Sequence, residues 1–238
     1  VTTVVSVLIP YREQGGWRDR HLNTVMDHWR SALGDTGEVI LGSCSADSPF
    51  NRSEACNDAF DGSIGSLIAI ADADTLFDPN AITLATAAVT NGAPWVVPHD
   101  MYYNATREWT QDFYACDQKN REQKLRSIVH PLHHEHALKN TISGMLVMSR
   151  DAFVTAGGMD QRFIGWGYED DAFGYALWTL VGKPVRVLES FVVHLWHPRS
   201  DAENFKQPHI LENKALMLRY RSANMNPESM RELIGGNR

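Results

Sequence analysis

The chain has 238 residues, 43% hydrophobic and 21% charged, and its 29 acidic against 22 basic residues give a formal charge of -7. That apolar share excludes an intrinsically disordered chain, and the acidic balance gives no general pull toward nucleic acid or anionic lipid. No apolar stretch approaches the roughly 18 residues needed to span a bilayer, no signal sequence precedes Pro10, and three cysteines without a C-x-x-C pair read as reduced thiols, which predicts a cytoplasmic protein.

Residues 4–9 read as a buried strand closed by Pro10. An amphipathic helix follows over 18–33, with Leu22, Val25, Met26, Trp29 and Leu33 at helical spacing and Gly34 as its stop. A second strand is predicted at 38–41, a helix at 51–60 and a third strand at 67–71, which runs directly into two aspartates. Asp78-Pro79 opens the next helix as cap and first-turn proline, Asn91-Gly92 ends it, and 95–97 is a fourth strand. Such alternation predicts a Rossmann-like α/β layer with a mainly parallel sheet, in which ligands bind beyond the carboxyl ends of the strands. Residues 104–140 read as a helix followed by a mobile loop that carries HPLHHEH. Strands are then expected at 145–148, 185–188 and 191–195, and helices at 170–180 and 208–223. Without repeats or linkers, 1–238 is read as one domain, with a nucleotide-binding half at 1–100 and an acceptor-binding, catalytic half at 101–238.

Four segments carry chemistry. Asp72-Ala73-Asp74 offers two carboxylates at a strand end, suited to a hard divalent cation such as Mn²⁺ or Mg²⁺. Alone such a triplet is more often a solvated junction; its place after a strand of an α/β sheet reverses this in favour of a ligand site. Pro10-Tyr11-Arg12 and Phe50-Asn51-Arg52 put an aromatic and an arginine at the two neighbouring strand ends, where a guanidinium can meet phosphate and a ring can pack on a base. Gly165-Trp166-Gly167 precedes Glu169, Asp170 and Asp171 at a helix start. Helix capping accounts for one or two of these acids but not for the G-W-G lead, and the helix N-terminus is expected to keep them ionised, ready to accept a proton. His194 and His197, three residues apart after an apolar strand, offer an imidazole to the aspartates' metal. The cluster His133, His134 and His136 reads as a loop feature, and metal binding there is the lesser reading.

Taken in order, LIPYRE, FNRSEACN, DAD, SGMLVMSRDAFVTAGGMDQRF and GWGYEDD resemble the catalytic domain of the β-1,4-galactosyltransferases and the related bacterial inverting transferases of the GT-A fold, over about residues 4–200. The resemblance implies a metal-dependent inverting hexosyltransferase that uses a UDP-sugar. Pro10, Tyr11, Arg12, Phe50, Arg52, Asp72, Asp74, Trp166 and Gly167 would then hold the donor. Asp74, Asp72 and one of His194 and His197 would ligate Mn²⁺ or Mg²⁺. Glu169 would bond a sugar hydroxyl, and Asp170 would be the general base. Tyr168 stands where the family has a second glycine, which narrows the acceptor side. Galactose is the first donor sugar implied, with glucose and N-acetylhexosamines as alternatives. The acceptor stays open among glycan, protein and modified DNA base. A sugar-phosphate nucleotidyltransferase is the competing enzyme class, but it normally carries a glycine-rich basic loop where this chain has PYREQGG. A non-catalytic carbohydrate-binding module would need neither metal pair nor base.

Overall fold

The computed structural model describes residues 4–46, 49–165, 167–198 and 209–235. In chain order, β1 (Val5–Pro10) leads to α1 (Trp17–Leu33), and β2 (Gly37–Gly42) to α2 (Arg52–Asp61). β3 (Leu67–Ala71) is followed by the short β4 (Thr75–Phe77) and by α3 (Pro79–Thr90), which starts where the Asp78 side chain accepts the Asn80 N–H. β5 (Trp95–Val97), β6 (Met101–Ala105), α4 (Arg107–Ala115), α5 (Arg121–Arg126) and β7 (His134–Lys139) form the middle of the chain. Next come β8 (Met145–Ser149), α6 (Arg150–Thr155), α7 (Glu169–Leu180), β9 (Val185–Arg186) and β10 (Phe191–His194), then α8 (Ile210–Ala223) and α9 (Pro227–Ile234).

Six strands make the central sheet in the order β2-β1-β3-β8-β5-β9. Side chains alternate strictly across it, as the two-residue period of a strand requires. Val7, Ala69, Val96 and Val147 enter one core, where α1 contributes Val25 and Trp29 and α3 contributes Ile82 and Ala85. Leu8, Ile68, Ile70, Leu146 and Met148 enter the other, under α2, α6 and α7. A smaller sheet, β4-β10-β6-β7, packs on the first core through Tyr102, Tyr103 and Val193. Gly42 lets α2 lie across the strand ends, because a Cβ there would stand 1.7 Å from the Ala55 carbonyl oxygen.

Several expectations are corrected. The central sheet is mainly parallel, but β8 runs antiparallel to both of its neighbours, β3 and β5. Residues 191–194 join the smaller sheet instead of the central one. The stretch expected to be a helix and a mobile loop is α4, α5 and β7. Its histidines 134 and 136 pair with Ala105 and Asn104 of β6, where the register shifts. β4, β6, α6 and α9 were not anticipated, and the helix expected from Pro208 begins at Ile210, with 199–208 outside the described residues.

Candidate active site

A cleft of about 1010 Å³ opens at the carboxyl ends of β1 and β3, against the start of α7 and the end of β10. Pro10, Tyr11, Arg12, Phe50, Arg52, Asp72, Asp74, Gly167, Glu169, Asp170, His194 and His197 all line it. Trp166 lies outside the described residues.

One corner follows from strand pairing. β4 and β10 run antiparallel with Thr75 opposite His194, and the Leu195 N–H donates to the Asp74 carbonyl at 2.8 Å. The chain reversal after β3 therefore delivers Asp74 to the end of β10. Its Oδ2 lies 3.5 Å from His194 Nε2 and 3.4 Å from His197 Nε2. One donor atom from each of the three residues falls within 4.8 Å of the others. Burial works to raise the Asp74 carboxyl, but His194 and His197, by charge and hydrogen bond, outweigh it and hold the group well below the usual carboxylate range. Behind this corner, His21 is fully buried, with Nε2 2.9 Å from the Trp196 carbonyl and Nδ1 against the Tyr114 hydroxyl. Burial pushes its pKa down to about 4, so it braces the segment between the two histidines as a neutral ring.

Asp72 takes a different place. Arg52 donates to its Oδ1 from Nε at 3.0 Å and from Nη2 at 2.7 Å, and from Nη1 to Asp170 Oδ1 at 2.6 Å. Among the described residues, Asp72 lies outside the three-residue cluster. Arg12 sits with its guanidinium 5.6 Å from the Phe50 ring centroid and donates to Cys44 Sγ at 3.1 Å. Glu169 turns back to accept the Gly167 N–H at 3.0 Å.

The expected ionised acids are a correction. Withdrawal from water raises Asp170 to about 7; Arg52 pulls it down, while Glu169, Asp72 and Asp171 push it up. Glu169 and Asp171 are raised as well, in both cases chiefly by burial. Desolvation and crowding of like charge outweigh the helix N-terminus here.

A family model described as the N-terminal domain of galactosyltransferase matches residues 123–197, the segment that holds β8, α7 and both histidines. No curated protein matches the chain in sequence. Among solved structures, the catalytic domain of Drosophila β1,4-galactosyltransferase 7 in complex with xylobiose is 18% identical at a TM-score of 0.57, over 91% of this chain and 79% of that one. A variant of that enzyme, in complex with manganese, UDP-Gal and xylobiose, is 18% identical at 0.55, over 86% of this chain and 75% of that one. GalNAc-T7 with UDP, GalNAc and Mn²⁺ is 15% identical at 0.54, over 98% of this chain and 54% of that one.

The fold is that of the GT-A glycosyltransferases.

Within this GT-A cleft, sequence reasoning missed Arg18, Tyr102, Glu135, Leu138 and Trp196, which also line it. Trp196 was visible between the two histidines of H-L-W-H. Arg18 Nη1 approaches Asp74 Oδ2 at 3.7 Å from the first turn of α1. The Tyr102 phenol is raised by burial and by the nearby charges of Asp72, Asp74 and Asp170. Nothing in the MYYNA stretch marks that tyrosine. Two of the clustered histidines serve structure: His133 and His134 bond the carbonyls of Ser127 and Ile128 at 2.6 and 2.9 Å.

Proposed function

We propose that the chain is a metal-dependent inverting glycosyltransferase that moves a hexose, galactose first among the candidates, from a UDP-sugar to an acceptor hydroxyl. The observation that carries this reading is the convergence, in one GT-A cleft, of the Asp74–His194–His197 donor set with the Asp170 carboxyl. Two imidazoles and a carboxylate fit a first-row transition ion better than Mg²⁺, which favours an oxygen shell; Mn²⁺, though a hard ion, accepts imidazole more readily than Mg²⁺ does. Held by Asp74, His194 and His197, the ion would supply positive charge to offset the negative charge that develops on the departing diphosphate. Arg12 and Phe50 offer a guanidinium and a ring to the nucleotide. Asp170 takes the acceptor hydroxyl's proton as that oxygen attacks the anomeric carbon and the bond to the diphosphate breaks on the opposite face, which inverts the configuration. Glu169 is placed to accept a hydrogen bond from a sugar hydroxyl.

The test is a panel of UDP-sugars with Mn²⁺, scored first for slow hydrolysis without acceptor and then for transfer to simple glycosides. Mn²⁺-dependent release of UDP from one of them supports the reading. Release of pyrophosphate from UTP and a sugar phosphate, with no UDP-sugar turned over, would replace it with nucleotidyl transfer.

A further inference from the structure

We infer that Arg52 is a positioning residue for the base and not a ligand for the nucleotide, an assignment that rests on the transferase reading above. Three of its N–H groups are committed to carboxylates: two to Asp72 Oδ1 at 3.0 and 2.7 Å and one to Asp170 Oδ1 at 2.6 Å. Its side chain is only 13% exposed. Nη1 also faces Met159 Sδ at 3.9 Å, so little of the guanidinium's donor set is left for a diphosphate, which would meet the charge of both carboxylates first. The backbone beneath it is fixed as well. Asn51 caps α2 and donates to the Gln161 carbonyl at 2.8 Å. Asn57, on the same helix, donates to the Met159 carbonyl at 2.8 Å and accepts the Met159 N–H at 3.0 Å. Arg52 is thereby held between the end of β3 and the start of α7. There it ties up Asp170 Oδ1 and leaves Oδ2 to take the proton. A lysine ammonium also has three donors, but they radiate from one atom and do not match the spacing with which Nε and Nη2 take Asp72 and Nη1 takes Asp170.

The experiment compares wild type, Arg52→Lys and Arg52→Gln in the full chain. It measures UDP affinity with Mn²⁺ by calorimetry, kcat and donor KM on the best UDP-sugar, and thermal unfolding. Positioning predicts that kcat falls about 10²-fold or more in Arg52→Gln, with a smaller loss in Arg52→Lys. UDP affinity in Arg52→Lys stays within about threefold of wild type. Arg52→Lys keeps one ion pair and the helix anchors, so it is the variant that decides the matter if Arg52→Gln fails to fold. A loss of UDP affinity of about tenfold or more in Arg52→Lys, whatever happens to turnover, overturns the assignment. Turnover equal to wild type in Arg52→Lys overturns it too. A wild-type chain that neither binds UDP nor consumes any UDP-sugar removes the transferase reading itself, before any variant is compared.

Discussion

At the first turn of α7, withdrawal from water and the charges of Glu169, Asp72 and Asp171 raise the Asp170 carboxyl, while Arg52 lowers it. The two influences leave a group that titrates near neutrality, which suits a base that must gain a proton and then give it up. Asp170→Asn removes the proposed proton acceptor but keeps the shape. Turnover is expected to fall about 10²–10⁴-fold, while UDP binding with Mn²⁺ stays near wild type. Transfer at the wild-type rate in that variant would assign the base elsewhere. The pH dependence follows from the same residue. With a carboxyl raised to about 7, the proton-accepting form is lost as pH falls through that value. The expected profile of kcat/KM therefore declines on the acid side with an apparent pKa near 7, and it belongs to the coupled Asp170–Glu169 pair more than to either residue alone. A profile flat down to pH 5 would contradict it.

At the scale of elements, α2 matters through how it is anchored. Asn57 both donates to and accepts from the backbone of Met159, so Asn57→Ala leaves two buried polar groups without partners. Each such group costs about 1–3 kcal/mol, so a loss of a few kcal/mol is expected in urea unfolding. Asn57→Asp keeps the acceptor but loses the donor, and it should destabilise as well. An unchanged unfolding midpoint in both would show that the anchor is dispensable. The asparagine was legible as the last letter of FNRSEACN, but its partner lies 102 residues away, and no local pattern names it. The same divide runs through the rest of the molecule. β1 and β3 were readable as short continuous apolar runs, α1 because its apolar residues repeat at three to four, and α3 because Asp78-Pro79 and Asn91-Gly92 mark its ends. β7 was not, since HEHALK is largely exposed along its length and has no apolar period to detect. β4 is three residues long and follows straight on from Asp74, too short for any periodicity. Both histidines suited the metal on spacing alone. Only the pairing of β4 with β10 shows that both reach Asp74 and that Asp72 is drawn away to Arg52.

For the molecule as a whole, an ion held at the proposed Asp74–His194–His197 site would link ligand binding to stability. The site joins the turn after β3 to the end of β10, elements far apart in the chain, and in the unfolded state these donors are not gathered. An ion bound only by the folded state stabilises it by about 2.7 kcal/mol at a hundredfold excess over its dissociation constant. For a chain of this size that corresponds to a melting point about 5–11 °C higher. Mn²⁺ is expected to produce such a shift, Mg²⁺ a smaller one, and Asp74→Ala to abolish it. Equal shifts in wild type and Asp74→Ala would place the ion elsewhere. Among the described residues no helix is long and apolar enough to cross a membrane.

The antiparallel strand at the centre of the main sheet also bears on how the molecule comes together during synthesis. β8 fills the gap between β3 and β5, and its Met145 pairs with Ala71 at the rim of the cleft. Until residues 145–149 leave the ribosome, β3 has an open edge on that side and the rim of the cleft cannot form. At about 5–20 residues per second, that edge waits on the order of 4–15 s, a window for mispairing that a purely sequential strand order would shorten. The fragment 1–100, though it contains Arg12 and Phe50, would retain that open edge permanently.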